Sequence, residues 1–224
     1  MNGRLVVVSG TGTNIGKTHF SEALLRTLQG TFRRVAGLKP VETGLHRASL
    51  SDGERLERAS SFHVQQSGYW FAPPLSPHLA ARQAGQTIEL RTIRSMIERV
   101  RAEADLTLVE LAGGLFTPLS QSLLNVDVLR ELSADFSVLV AADRLGVLHD
   151  VLASTRTAAA MGISFDAIVL MAPEVPDASC NSNHAELLLF MHDTPVHSLP
   201  RAPVDELVRH AALATLAREI SKAG

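Results

Sequence analysis

Val6-Val7-Val8-Ser9-Gly10-Thr11-Gly12-Thr13-Asn14-Ile15-Gly16-Lys17-Thr18 runs from an apolar stretch into a glycine-rich loop that closes on Gly-Lys-Thr. The apolar run has strand character, and Phe20, Ala23, Leu24 and Leu28 follow at helical spacing until Gly30. A strand emptying through glycines into a helix N-terminus is a phosphate-binding loop. Unpaired backbone N–H groups converge on one point, the glycines let that backbone close on an anion, and Lys17 adds a full positive charge. Thr18 then offers its hydroxyl to a nucleotide-bound Mg²⁺. Five residues separate Gly10 from Gly16-Lys17, and Thr11 stands where the common spacing puts the first glycine. An ordinary strand-to-helix turn with a surface lysine is the plain alternative, and the strand and helix that flank the loop favour nucleotide binding.

Outward from the loop, the 224 residues are 46% hydrophobic and 20% charged, enough for a sizeable core and too apolar for a disordered chain. The net charge of −2 gives no overall bias toward nucleic acid or an anionic membrane. Cys180 is the only cysteine, so no intramolecular disulfide forms and a reducing compartment is expected. The chain enters a strand within a few residues, without a basic leader, and no run approaches the ~18 apolar residues of a membrane span. A cytoplasmic protein, with neither nucleic acid nor membrane as partner, is the expectation.

Strand-length apolar runs recur at Leu5 to Val8, Val35 to Leu38, Leu106 to Val109, Phe136 to Ala141 and Ala167 to Met171. Helical patterns lie between them, one marked by Ile93, Met96, Ile97 and Val100 and another running from Val147 to Met161 before Gly162. Continuous apolar runs separated by helices predict parallel strands buried on both faces, in an α/β chain of one domain over residues 1–224. The stretch from Ser67 to Gln86, with Pro73, Pro74 and Pro77 and the chain's only Trp and Tyr, reads as a loop or lid.

Right-handed crossovers bring the carboxyl ends of parallel strands to one edge, so polar residues just after the strands are the candidates for chemistry. Lys39, in Gly37-Leu-Lys-Pro-Val41, ends the second run, where a second lysine neutralises charge on a transferred phosphoryl group. A solvated strand-end lysine is the alternative. Glu110 ends the Leu106 run and suits Mg²⁺, which takes one or two carboxylates beside phosphate oxygens and water. Asp52 is a second such carboxylate, although alone it reads as a helix cap. The turn at Arg144-Leu145-Gly146 precedes a helix and is a second place for an anion. Asn183 and Glu186 have capping-box spacing, which gives Asn183 a structural role. The nine histidines show no metal-ligand spacing.

Gly10 to Thr18, Gly37 to Val41 with Thr43-Gly44, Ser51-Asp52, Ser76-Pro-His78, Val109-Glu-Leu-Ala-Gly-Gly114 and Leu145-Gly146 together resemble dethiobiotin synthetase, in register over residues 4 to 162 and weakly beyond. The resemblance implies a three-layer αβα P-loop NTPase-like fold with a mostly parallel central sheet. It also implies an ATP- and Mg²⁺-dependent ligase that carboxylates and cyclises 7,8-diaminononanoate with CO₂. By that resemblance Gly12, Thr13, Asn14, Ile15, Gly16, Lys17, Thr18 and His19 hold the nucleotide, and Thr18, Asp52 and Glu110 the metal. Lys39, Lys17 and Thr13 take part in catalysis. Thr43, Gly113 and Gly114 contact substrate, as do Leu145, Gly146 and Val147 in the turn that runs to His149. The substrate carboxylate lies against that turn from the partner subunit, which implies a homodimer with sites at its interface.

Some positions depart from the family. Gly12 and Asn14 replace acidic residues, Leu111 follows Glu110 in place of glycine, and Met171 stands where an asparagine usually reads adenine. A thioether supplies no paired amide hydrogen bonds. Base recognition is therefore expected from backbone groups or the Pro173 to Asn181 loop. The segment Val196-His-Ser-Leu-Pro200 also lacks the usual glycine before Leu-Pro. Alternatives are a related ligase on another substrate and a P-loop switch ATPase of the partition or metallocentre-insertion type. The latter commonly carries an early loop lysine, where Thr11 and Gly12 stand here.

Overall fold

The computed structural model describes residues 3–46, 48–65 and 68–223. Along the chain run β1 (Arg4–Gly10), α1 (Lys17–Leu28), β2 (Val35–Leu38), β3 (Val41–Thr43), α2 (Asp52–Arg58), β4 (Tyr69–Phe71), α3 (Pro77–Gln83), α4 (Leu90–Arg101) and β5 (Leu106–Glu110). There follow α5 (Asn125–Leu132), β6 (Phe136–Ala142), α6 (Val147–Ala160), β7 (Ala167–Met171), α7 (Asn183–Leu188), β8 (Val196–Leu199), α8 (Val204–Leu207) and α9 (Ala211–Lys222).

Six strands form one sheet in the order β2-β5-β1-β6-β7-β8, and every neighbouring pair is parallel. The expected mostly parallel sheet is thus parallel throughout. The strands are buried on both faces, as their unbroken apolar runs require. Leu5 and Val7 of β1 enter one core with Ile93, Ile97, Val126 and Val151, while Val6 and Val8 enter the other with Phe20, Leu24, Leu56 and Leu216. Alternate residues of one strand thus feed opposite helix layers, which makes three layers, αβα.

The chain leaves β1 toward β2 on one side, and β6 lies on the other. The carboxyl end of β1 therefore sits at the switch point of the sheet, where open α/β sheets bind ligands. The phosphate-loop sequence is the segment that leaves this point.

Three expectations need correction. The stretch from 67 to 86 is not merely a loop: β4 pairs in parallel with β3, and Pro77 opens α3. Proline is acceptable in a first helical turn because no N–H is needed there, so one of the prolines that signalled irregularity starts a helix. Ser67 lies outside the described residues. Asp52 does not cap α2; Ser51 does, accepting from Glu54 N–H while Glu54 accepts from Ser51 N–H. Asn183 is the first residue of α7 rather than its cap, and its amide is committed to a buried aspartate instead. β8 carried no strand signal because it is short and pairs on one side only, so His197 and Ser198 interrupt its apolar pattern.

Candidate active site

The loop between β1 and α1 is built from backbone conformations that side chains resist. Gly16 is the N-cap of α1 with φ 91°, and a Cβ on it would lie 3.1 Å from Met171 Cβ. Glycine is required there twice over, by the left-handed backbone and by the approach of β7. Thr11 N–H donates to Val140 O of β6, and Leu115 N–H donates to Gly10 O, so the loop is held from β6 on one side and from the segment after β5 on the other. Thr11 to Gly16 and His19 line a cleft of about 890 Å³, whose far wall includes Met171, Pro173 and Arg201. His19 is fixed to that wall by a 2.7 Å bond between Nε2 and Ala202 O.

Lys17 is buried, and its ammonium donates to Gly12 O at 2.6 Å. Burial pushes its pKa down to about 8, against the opposing pull of Glu110. An anion in the loop would favour the charged form of Lys17 and raise its pKa again.

Below the loop lies a buried ionic cluster. Lys39, just past β2, donates to Glu110 Oε1 at 2.5 Å and to Asp52 Oδ2 at 2.7 Å. Thr18 donates to the same Glu110 Oε1 at 2.8 Å. Burial disfavours the Lys39 charge, yet Glu110 and Asp52 outweigh it and hold the ammonium above the ordinary lysine range. Asp52, although desolvated, is held below the ordinary carboxylate range by Lys39 and then by Thr18. Lys39 is therefore a fixed cation, unlike Lys17. Structure brings together residues 18, 39, 52 and 110, which are far apart in sequence, because three of them follow or end neighbouring strands β1, β2 and β5.

Glu110 is completely buried, and its second oxygen, Oε2, has no hydrogen-bond partner. An orphaned buried carboxylate oxygen is costly unless a cation meets it. Two carboxylates and a hydroxyl are the hard oxygen donors that Mg²⁺ accepts. Among the described residues no group of three or more His, Cys, Asp or Glu gathers around a metal position.

Glu42, in β3, went unsingled in the sequence. Its two oxygens accept from Asp52 N–H at 2.6 Å and Gly53 N–H at 3.0 Å, so it binds the N-terminus of α2 and sets where Asp52 points. Burial raises its pKa, partly offset by those two N–H groups. Its signal was a carboxylate between Val41 and Thr43, two residues beyond Pro40.

The Gly113-Gly114 segment abuts the phosphate loop, since a Cβ on Gly114 would meet Thr11 O at 3.1 Å. Asn125 of α5, almost fully buried, donates to Ala112 O and to Gly114 O, the latter at 2.9 Å. Thr43 ends β3 beside Glu42. At the other anion candidate, Leu145 N–H donates to Asp177 Oδ2 at 2.8 Å and Val147 N–H to Arg144 O at 3.0 Å. The Val147 side chain is in the core, whereas Leu145 is exposed. Ser179 and the Leu145 N–H hold the Asp177 carboxyl at about 2. Buried Asp143 secures the 180–183 segment, accepting from Asn183 Nδ2 at 2.7 Å and Asn181 N–H at 3.1 Å. A polar residue directly after β6 was the available signal for Asp143, and it was passed over for its neighbour Arg144.

Residues 4–211 match a family model described as an AAA domain. The chain is 35% identical over 164 residues to the ATP-dependent dethiobiotin synthetase BioD of Nitrosospira multiformis, covering 72% of each chain. It is 30% identical over 223 residues to the protein of that name from Geobacillus kaustophilus, covering 96% of this chain and 92% of the relative. The likeness therefore extends past Gly162, where the motifs had faded. Among solved structures, the cell division ATPase MinD of Pyrococcus furiosus superposes with a TM-score of 0.61 at 18% identity, covering 99% of this chain and all of that one. That likeness shows the fold alone.

Proposed function

We propose that this chain, which belongs to the ATP-dependent dethiobiotin synthetase family, makes dethiobiotin from 7,8-diaminononanoate and CO₂ with ATP and Mg²⁺. The reading rests most on the buried Lys39–Glu110 pair, joined by half-buried Asp52, against the phosphate loop, with one Glu110 oxygen unpartnered. One amine of the substrate takes up CO₂ as a carbamate. A carbamate oxygen attacks the γ-phosphorus of ATP and ADP leaves, giving a carbamic-phosphoric anhydride. The second amine attacks the carbonyl carbon, phosphate departs and the ureido ring closes.

Lys17 and the N–H groups from Gly12 to His19 hold the phosphates, giving up the internal bond to Gly12 O. Lys39 stays protonated, because its carboxylate partners outweigh burial, and so it stabilises charge on the transferring phosphoryl group rather than acting as a base. Thr13 and Thr43 hydrogen-bond the carbamate and substrate, and Gly113-Gly114 lets the backbone come close. Thr18, Asp52 and Glu110 would hold Mg²⁺, which would neutralise negative charge on the phosphates. The turn at Leu145 to Val147 receives the substrate carboxylate across a homodimer interface. The working unit is one domain over residues 1–224, in the cytoplasm; no helix among the described residues is long and apolar enough to cross a membrane.

The deciding assay follows phosphate release and cyclic urea formation from 7,8-diaminononanoate, bicarbonate and Mg²⁺, with ATP, CTP and GTP in parallel. Product that needs both diamine and bicarbonate supports the reading, and the nucleotide order reads the effect of Met171. Nucleotide binding without product from any mixture overturns it.

Phosphate binding also carries a pH dependence. Only protonated Lys17 attracts phosphate, and its unliganded pKa is about 8. With EDTA present, ADP affinity falls as pH rises through about 8, and binding above that pH takes up a proton. Calorimetry in two buffers of different ionisation enthalpy measures both, and flat affinity from about pH 7 to 9.5 shows that Lys17 does not titrate near 8.

A further inference from the structure

Arg55 of α2 is a cation of the cleft that the reaction above leaves unused. It lines the cleft with Thr13, Asn14 and His19. Its Nε and Nη2 both donate to one oxygen of Glu22 on α1, at 3.1 and 2.8 Å. The Arg55 side chain is 33% exposed and that of Glu22 22%.

Helical spacing places the pair. Asp52 and Arg55 are three residues apart on α2, and Thr18 and Glu22 are four apart on α1, so each two share a helix face. Thr18 approaches Asp52 at one rung, and Glu22 meets Arg55 at the next. Arg55 thus follows Asp52 by about one turn along α2.

An ion pair this exposed adds little to stability. A guanidinium, however, presents a planar fork that matches phosphate, and Glu22 engages it through a single oxygen. A di- or triphosphate in the adjoining loop carries more negative charge than one carboxylate.

We propose that Arg55 is a phosphate-binding residue of the nucleotide cleft, held by Glu22 until nucleotide arrives and then passed to a phosphate. The proposal rests on the nucleotide reading of the cleft and not on the identity of the second substrate. Glu22 then competes with the ligand, so removing it and removing Arg55 have opposite effects. A latch that merely fastens α2 to α1 would give the same effect from either side.

The experiment is calorimetric binding of ADP and of inorganic tripolyphosphate to the wild-type protein and to Arg55→Ala, Arg55→Lys and Glu22→Gln. Arg55→Ala weakens both ligands about ten-fold or more, the scale of one charge-assisted hydrogen bond. Arg55→Lys weakens them less, and Glu22→Gln tightens both several-fold. Equal weakening by Arg55→Ala and Glu22→Gln overturns the proposal, as does weakening of ADP without tripolyphosphate, or no change. Should Arg55→Ala fail to fold, Arg55→Lys and Glu22→Gln still give the opposing signs. Wild-type protein that binds neither ligand defeats the nucleotide reading itself, whereas binding indifferent to Arg55 defeats this inference only.

Discussion

Lys39→Ala lowers turnover of the dethiobiotin reaction by at least about 10², the scale of losing one preorganised charge contact made in the transition state. Nucleotide affinity changes less, because the phosphates are held chiefly by Lys17 and the loop backbone. The substitution also removes the ammonium from fully buried Glu110, which leaves that carboxylate with Thr18 as its remaining protein donor. Breaking a buried ion pair from one side costs about 3–5 kcal/mol, so the urea midpoint falls as well. Steady-state kinetics on protein confirmed as folded separate the two effects. Turnover that survives intact removes Lys39 from the mechanism, whatever happens to stability.

Glu110→Gln takes the same cluster apart from the metal side. The amide keeps the shape of the side chain but loses the negative charge, and the orphaned Oε2 position no longer attracts a cation. Apparent Mg²⁺ affinity in the assay drops by about 10-fold or more and turnover at limiting Mg²⁺ by about 10², with high Mg²⁺ restoring part of it. Lys39 loses the negative charge of Glu110 beside it, so its ammonium also moves back toward the ordinary range. A Mg²⁺ titration of phosphate release in both proteins measures this. Superimposable titrations would show that Glu110 only neutralises Lys39 and does not hold the metal.

The two variants divide one cluster whose members came from the sequence by different routes. Lys17 and Thr18 were legible directly, since a strand, a glycine loop and a helix start are all local. Lys39 and Glu110 were legible as polar residues at the ends of apolar runs, a pattern that parallel topology turns into proximity. Their mutual contact was not legible. Each could have been a solvated strand end, and only the neighbouring places of β2, β5 and β1 press them into one dry ionic cluster.

Capping shows the same divide at short range. Ser51 and Glu54 form the capping box of α2 three residues apart, yet Asp52 looked like the cap because aspartate is among the preferred capping residues. In the fold, its own N–H is held by Glu42 from another strand, which turns its carboxylate to Lys39. Asn183 and Glu186 matched the capping spacing and do not form a box, because Asn183 is already inside the helix and its Nδ2 donates to buried Asp143. A charged partner in a dry site outweighs a neutral local bond.

What the sequence by itself determined is what depends on neighbours along the chain. This includes the phosphate loop with its required glycine at 16, the alternation of β1 between two apolar layers, and the parallel α/β class. Only the tertiary structure decided which of the strand-end charges meet, that one Glu110 oxygen lies buried without a partner, and that Arg55 reaches the cleft from Glu22. Those facts arise from packing between residues distant in the chain, where desolvation sets the strength of each charge, and desolvation is a property of the folded volume rather than of the order of residues.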